Sequence, residues 1–355
     1  MKIGIPKEIK IMEGRVALIP EACRELVTAG HEVVIEHNAG LASGYTDQQY
    51  EAAGVKVLER NQDVFEQSKL IVKVKEPMRE ELELLRSDHI LFSYLHLAAS
   101  KELTEGLKAI GLTAVAFETV EVNGKLPLLA PMSDIAGTVA AQTSVNLLYQ
   151  HNGGRGILLN GSPSSPRANA IVLGAGVAGT AAIRVLAALG ANVTVFDKNT
   201  EKLDKIRRLG NNINTLYAYA DSIAEVLKSA DLVIGAVLVP GAKAPVVVTT
   251  DMVAEMPKAS VILDISVDQG GCIQTTHPTT YDDPVYMDQG VLHYAVSNIP
   301  GAVPRTATQA LSAVILPYVN SIANEQSDSI PGLLAGYNVQ AGEVTHKAVI
   351  AALAG

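Results

Sequence analysis

Gly174, Gly176 and Gly179 stand in the stretch AIVLGAGVAG, a GxGxxG spacing that follows an apolar run and opens an apolar helical pattern. Residues so placed can cradle a pyrophosphate. The first glycine makes a tight turn, the second lets the backbone approach the anion, and the third lets the helix pack closely on the strand, with the helix N-terminus facing the negative charge. Asp197 closes the next apolar run, 18 residues after Gly179. A carboxylate there accepts hydrogen bonds from the adenosine ribose and repels a 2′-phosphate, so the expected cofactor is NAD and not NADP.

A second set of candidates is basic. Lys75 lies in IVKVKEP, residues 71–77, which reads as a strand stopped by Pro77. Side chains alternate along a strand, so Ile71, Lys73 and Lys75 share one face while Val72 and Val74 share the other. In a sheet covered on both faces a terminal lysine must point at something, and ligands of open parallel sheets bind beyond the carboxyl ends of the strands. His96, in FSYLHLAAS, follows the next strand, and Arg15, in IMEGRVALIP, follows the first. Taken singly, each has an ordinary explanation: a surface lysine, a satisfied core histidine, an exposed loop arginine. Their common placement at strand ends favours a receptor for a small carboxylate, with arginine supplying a planar fork and lysine a point charge. Lys73 lies deeper on the same face, and the sequence assigns it no partner.

The elements that must position these residues alternate along the chain. Apolar runs at Lys2–Ile5, HEVVIEH, VKVLE, LIVKVKE, HILFSYLH and LTAVAFE are separated by helical patterns at Pro20–Ala29, Asp47–Ala53, Arg79–Arg86 and Lys101–Ile110. Several of these helices are followed by glycine, which supplies a left-handed cap, and Thr46 to Gln49 forms a capping box. After the Gly-, Ser- and Pro-rich stretch HNGGRGILLNGSPSSPR a second series follows, with strands at Ala170–Leu173, Val193–Asp197, Leu232–Val237, Val261–Ser266 and Leu292–Val296. Helices at Val177–Leu189, Glu201–Leu209 and Ser222–Lys228 alternate with them, and longer ones at Ser133–Tyr149 and Thr306–Ala323 flank the series. Strands separated by helices imply right-handed crossovers. The expected fold is α/β, with two Rossmann-like doubly wound parallel-sheet domains separated by a cleft.

Composition narrows the partners. A chain of 355 residues with 48% hydrophobic content can fill two cores, and a net charge of -9 without a basic run argues against nucleic acid or an anionic membrane surface. A small metabolite is the better expectation. Cys23 and Cys272 are far apart and lack metal-ligand spacing, which fits a reducing compartment and no metal site. The beginning MKIGIPKE has no apolar leader pattern, and no apolar run reaches the roughly 18 residues of a membrane span, so the expected location is the cytoplasm.

The segments GIPKEIK…E.RVAL.P, VKVKEP, YLHLAA, PMSDIAG, GAGVAG, ADLVIGAVLVPGAKAP, DISVDQGGC and PGAVPRTAT are long and ordered, and over nearly the whole chain they resemble the alanine dehydrogenase and pyridine nucleotide transhydrogenase family. The resemblance implies NAD-dependent, reversible oxidative deamination of L-alanine to pyruvate and ammonia by a homohexamer. It implies a substrate domain of residues 1–130 plus 304–355 and an NAD domain of residues 131–303. It places Arg15 and Lys75 on the carboxylate and carbonyl region of the substrate, and His96 and Asp268 as acid/base groups. It adds Ser133, Val177, Ala178, Lys202, Leu238 and Val239 as cofactor contacts, together with Ile265, Ser266, Val267 and Asp268 and with Val296, Ser297, Asn298 and Ile299.

Three positions depart from the family pattern: Tyr219 stands where serine is frequent, Ile299 where methionine is usual, and His277 where some members carry arginine. They bear on adenine-side and diphosphate-side contacts, not on the reaction. Three other readings compete: a related amino-acid dehydrogenase for a longer substrate, the non-membrane component of a transhydrogenase, and a non-catalytic NAD-binding protein. The short loops disfavour the first, the second requires a separate membrane partner, and the joint presence of Arg15, Lys75, His96 and Asp268 disfavours the third.

Overall fold

Short β-branched runs separated by helices bury both their faces only in a parallel sheet covered on each side. The computed structural model, which describes residues 1–239 and 244–354, contains two such sheets. Pro240, Gly241, Ala242 and Lys243 of GAVLVPGAKAP, and Gly355, lie outside the described residues. Contacts divide the chain into two compact units, Met1–Met132 with Gly301–Gly355, and Ser133–Pro300.

The strands are β1 Lys2–Ile5, β2 Glu32–Glu36, β3 Lys56–Leu58, β4 Leu70–Val72, β5 Ile90–Ser93, β6 Thr113–Ala116, β7 Asn169–Leu173, β8 Asn192–Asp197, β9 Ile213–Tyr217, β10 Leu232–Gly235, β11 Val261–Asp264, β12 Val285–Asp288, β13 Val291–Tyr294, β14 Tyr337–Gln340 and β15 Glu343–Val344. In the first unit they are ordered β15-β14-β6-β5-β4-β1-β2-β3, parallel from β1 to β6, with the β14–β15 hairpin antiparallel at the β6 edge. In the second unit the order is β12-β13-β11-β10-β7-β8-β9, with β12 antiparallel. Each sheet therefore reverses its winding direction beside its first strand, between β1 and β4 in one and between β7 and β10 in the other. Those reversals are where an open α/β sheet leaves a crevice at its carboxyl edge.

Local signals set several element ends. Pro20 opens the helix Pro20–Thr28. The capping box before Asp47–Ala52 forms as expected, with the Thr46 N–H donating to Gln49 Oε1 at 2.8 Å. Ser100 caps Lys101–Ile110, and Gly111 closes it in the left-handed region at φ 80°.

Other expectations need correction. The helix that carries Ser133 begins at Ala130, so Ser133 lies inside its first turn and not at its cap. The strand through Lys75 ends at Val72, level with the end of its neighbour β1 at Ile5, since Gly4 pairs with Ile71. Its pairing with the β5 side persists further, through Lys73 N–H to Phe92 O and Tyr94 N–H to Val74 O, each 3.1 Å. The helix Asn61–Gln67 and the strands β9, β12, β14 and β15 were not legible. Asn61–Gln67 buries only Val64 and Phe65 among polar residues, and β9 buries only Ile213.

β13 lies inside the second sheet and carries a buried histidine. His293 Nδ1 is 2.9 Å from Val291 O and Nε2 is 2.8 Å from Thr275 Oγ1, while the ring stacks on Tyr286 with centroids 5.0 Å apart. The neutral ring, protonated on Nδ1, satisfies both neighbours, and burial holds the imidazole below its ordinary pKa. Below about pH 6.5 the unfolded chain takes up a proton that the folded chain refuses, so stability is intact above that pH and is lost as pH falls. Urea unfolding at about pH 7.5 and 5.5 should show a smaller acid-side loss for His293→Gln than for the wild type. Equal losses in the two proteins would contradict this role for His293.

Candidate active site

β1 and β4 border the winding reversal of the first unit, and the loops that leave them carry Arg15 and Lys75. Arg15 is 2% exposed. Its Nε and backbone N–H donate to Glu13 Oε1 at 2.6 and 3.0 Å, and Nη2 donates to Glu13 Oε2. Burial works to lower the guanidinium pKa, but the hydrogen bond and charge of Glu13 outweigh it and hold the group above its ordinary range. Arg15 Nη1 also meets the Met132 thioether at 3.2 Å, a weak acceptor that a substrate carboxylate would surpass. The helix Pro304–Ala323 fixes this loop from behind: Val16 N–H donates to Thr308 Oγ1 and Ile19 N–H to Ser312 Oγ, each at 3.1 Å.

Lys73, the lysine without a partner in the sequence, has two. Its Nζ is 2.6 Å from Glu81 Oε1 and 3.3 Å from Glu8 Oε2, and the residue is 1% exposed. Burial lowers its pKa, yet the two carboxylates outweigh that effect and hold the ammonium charged. Glu8 shares this single ammonium with Glu81, so burial leaves its own carboxyl above the ordinary range, partly opposed by Lys73. Glu8 also accepts the Val74 N–H at 2.6 Å and the Lys75 N–H at 3.4 Å. Lys75 is 9% exposed.

Glu8, Glu13, Gly14, Arg15 and Asn38 are among the residues lining a cavity of about 220 Å³; Lys75 and His96 do not line it. A larger hollow of about 380 Å³ in the second unit is lined by Arg167, Gly190 and Asn192 among others. It lies at the start of β8, the amino edge of its sheet, where open α/β sheets do not bind ligands.

His96 follows β5 in the left-handed conformation, φ 51° and ψ 38°. That backbone is uncommon outside glycine, and Glu118 holds it: its carboxylate accepts the His96 N–H at 2.6 Å and the Leu95 N–H at 3.2 Å. The imidazole lies parallel to the Tyr94 ring, 6.1 Å between centroids and 7° between planes. Tyr94 is in turn fixed by its hydroxyl, which donates to Leu128 O at 2.6 Å.

In the second unit the glycine turn joins β7 to the helix Val177–Ala188. Gly174 has φ +104°, and a Cβ on it would stand 2.4 Å from Ala236 O; one on Gly179 would stand 1.8 Å from Gly174 O. A Cβ on Gly176 would meet nothing within 4 Å, which leaves open space above the turn for a pyrophosphate. Asp197, at the end of β8, accepts the Ala175 N–H and the Asn199 N–H, both at 2.7 Å. Lys202 lies in the first turn of Thr200–Arg207, which Asn199 caps. Val177, Leu238 and Val239 are exposed.

Asp268 stands in a single-turn helix, Ile265–Gln269, directly after β11. It is exposed, and its Oδ2 accepts the Asn298 N–H at 3.2 Å, Asn298 itself having φ 62°. The loop is organised by the buried Asp264, whose carboxylate accepts N–H groups of Ser266, Cys272 and Ile273 at 2.9, 2.9 and 3.2 Å and the Thr276 hydroxyl at 2.8 Å. Val267, Val296 and Ile299 are buried. Ile265 and Ser297 are half-buried and Ser266 is buried. Gln269 Oε1 is buried without a hydrogen-bond partner among the described residues, as a group that a bound ligand satisfies would be. The glycine cradle, the carboxylate at the end of β8 and this orphaned oxygen fit a dinucleotide.

Glu8, Glu13, Glu118 and Asp264 were not among the residues singled out by sequence. Each lies inside or beside a stretch that was, but its partners are known only once the chain is folded.

The chain is similar over nearly its whole length to known proteins. Residues 4–136 match the family model "Alanine dehydrogenase/PNT, N-terminal domain" and residues 140–347 match "Alanine dehydrogenase/PNT, C-terminal domain". An alanine dehydrogenase of Methanococcus maripaludis is 46% identical over 98% of this chain and 95% of its own length. One of Bacillus subtilis is 46% identical over 98% and 94%. A solved L-alanine dehydrogenase superposes with TM-score 0.95 at 47% identity, covering 100% of this chain and 99% of its own. A transhydrogenase from Sinorhizobium meliloti superposes with TM-score 0.82 at 26% identity, covering 98% and 100%.

The Glu13–Arg15 pair gives a stability test. Removing one partner of a buried ion pair leaves the other charge uncompensated, so Glu13→Gln should lose about 3 kcal/mol or more in urea unfolding. Adding Arg15→Met to that variant should restore most of the loss. A loss below about 0.5 kcal/mol for Glu13→Gln would show that the pair does not hold this loop.

Proposed function

The chain belongs to the alanine dehydrogenase/PNT family, and from that premise we propose that it catalyses the NAD-dependent, reversible oxidative deamination of L-alanine to pyruvate and ammonia. One observation supports this reading above the others: the cations suited to a small carboxylate and the cradle suited to a dinucleotide each leave the strands that border a winding reversal. The transhydrogenase reading is weaker, since likeness to that structure is 26% identity against 47% for the alanine dehydrogenase. No helix among the described residues is long and apolar enough to cross a membrane.

NAD, when bound, accepts the α-hydrogen of alanine as hydride. Gly174, Gly176 and Gly179 make room for the pyrophosphate, the N–H groups at the start of Val177–Ala188 face its charge, and Asp197 receives the ribose hydroxyls. Ser133, Lys202, Leu238, Val239, residues 265–268 and residues 296–299 complete the proposed cofactor contacts. Arg15, aligned by Glu13, and Lys75 hold the substrate carboxylate and the oxygen of the carbonyl. Once the α-ammonium has given up a proton, loss of hydride leaves an iminium carbon, to which water adds with loss of a further proton. An imidazole suits that proton, and His96, with its backbone fixed by Glu118, passes it to the departing nitrogen. Asp268 shares the proton traffic: as ammonia leaves, the carbinolamine hydroxyl becomes the carbonyl of pyruvate and its proton passes to the acid/base pair. The assembly proposed is a homohexamer in the cytoplasm, which light scattering would register as a particle of six chains.

The purified protein should form NADH with L-alanine faster than with L-serine, glycine or L-lysine. Preference for lysine, or no amino-acid-dependent NADH at all, would overturn the assignment. His96→Ala and Asp268→Asn should each lower turnover about 10²-fold or more while NADH titration stays near that of the wild type. Normal turnover in either variant would remove that residue from the chemistry. Asp197→Ala should erode a preference for NAD over NADP on the order of 10²-fold, since like charges about 4 Å apart repel by roughly 4 kcal/mol at an effective dielectric near 20 and solvent at the adenosine end screens part of that. Unchanged selectivity in that variant would reject the ribose role.

A further inference from the structure

β4 continues past its last sheet residue with its two edges in different surroundings. On one side β5 still supplies a carbonyl, since the Lys73 N–H donates to Phe92 O at 3.1 Å. Val74 and Lys75 lie in a bend just past the strand, and the Val74 N–H makes no ladder hydrogen bond. β1 has ended at Ile5. The acceptor is a side chain, the Glu8 carboxylate, at 2.6 Å from the Val74 nitrogen and 3.4 Å from that of Lys75.

Glu8 is itself held. Lys73 Nζ reaches its Oε2 at 3.3 Å and Glu81 at 2.6 Å, and all three side chains are buried. A second tie crosses the same gap two residues further along each segment, where Lys10 Nζ is 2.5 Å from Glu76 Oε1. The β1 loop that carries Arg15 and the segment that carries Lys75 are thus fastened together by carboxylates, at the reversal where β1 and β4 part.

We propose that Glu8 is a positioning residue for substrate binding: by accepting the Val74 and Lys75 N–H groups in the bend beyond β4, it fixes the backbone there and so sets where the Lys75 ammonium stands relative to Arg15. Lys73 supplies the buried counter-charge that keeps the Glu8 carboxylate in place. This rests on the reading of Lys75 as a substrate-binding residue.

The alternative is that Glu8 only neutralises Lys73. A double-mutant cycle separates the two. Glu8→Asp keeps a negative charge beside Lys73 but withdraws it from the Val74 N–H by one carbon–carbon bond. Glu8→Gln keeps an acceptor but removes the charge. With Lys75 intact, Glu8→Asp should lower kcat/KM for pyruvate about tenfold while the Kd for NADH changes less than about twofold. In a Lys75→Gln background the same replacement should change kcat/KM less than about twofold, because no ammonium is left to position. Glu8→Gln should follow the same pattern if it folds, and Glu8→Asp decides the matter if it does not. Equal losses in both backgrounds, or no loss when Lys75 is present, would overturn the positioning role while leaving Lys75 on the substrate. If Lys75→Gln alone leaves pyruvate reduction unchanged, the substrate role of Lys75 fails, and the proposal with it.

Discussion

Charge taken out of water must be matched, and the carboxyl edge of the first sheet is governed by that requirement. Glu8, Glu13, Arg15, Lys73, Lys75 and Glu81 are all buried there, three acids with three bases. An isolated buried ion is heavily penalised, and a buried pair repays its desolvation only with good geometry. The geometry is correspondingly tight: Glu13 meets Arg15 through two side-chain nitrogens and one backbone N–H, and Glu8 meets Lys73 and two backbone N–H groups. A core of apolar residues would hold the fold as well or better. Charges retained at this cost make sense where an anionic ligand is to be received by groups that are already aligned.

The second unit solves a related problem with backbone groups. The turn after β7 offers backbone N–H groups and a helix N-terminus; Gly174 and Gly179 allow its close backbone packing, and the space above Gly176 is open. Order in the neighbouring loop comes from one buried carboxylate, Asp264, which gathers four donors at the end of β11 and thereby sets the course of the chain through Asp268. In both units a carboxylate at or just beyond a strand end fixes a loop that the sheet can no longer hold.

What the sequence made legible was local. The Thr46–Gln49 capping box, the Gly111 helix end and the glycine turn each depend on residues within a few positions of one another, and they are found where the pattern placed them. The α/β class followed from the alternation of apolar runs with helices. Illegible features depend on distant partners. Glu8 meets Val74 across 66 positions and Glu118 meets His96 across 22, so nothing in either stretch marks the carboxylate as structural. β4 ends at Val72, level with the end of its neighbour β1 at Ile5, so its length is matched to another segment. β9 and β14 escaped notice for a simpler reason. β9 is mostly polar or exposed, and β14 has two buried residues before a turn through Ala341 and Gly342 in positive φ.

The charged edge of the first sheet is the part of the molecule on which the functional reading turns, and a crystal structure with NAD and pyruvate bound tests it most directly. The pyruvate carboxylate should lie within hydrogen-bonding distance of the Arg15 guanidinium and the Lys75 ammonium, with Glu13 still paired to Arg15 and Glu8 still on the Val74 N–H. Pyruvate bound away from both cations, or bound only after Glu13 or Glu8 has let go, would contradict a receptor that is aligned before its ligand arrives.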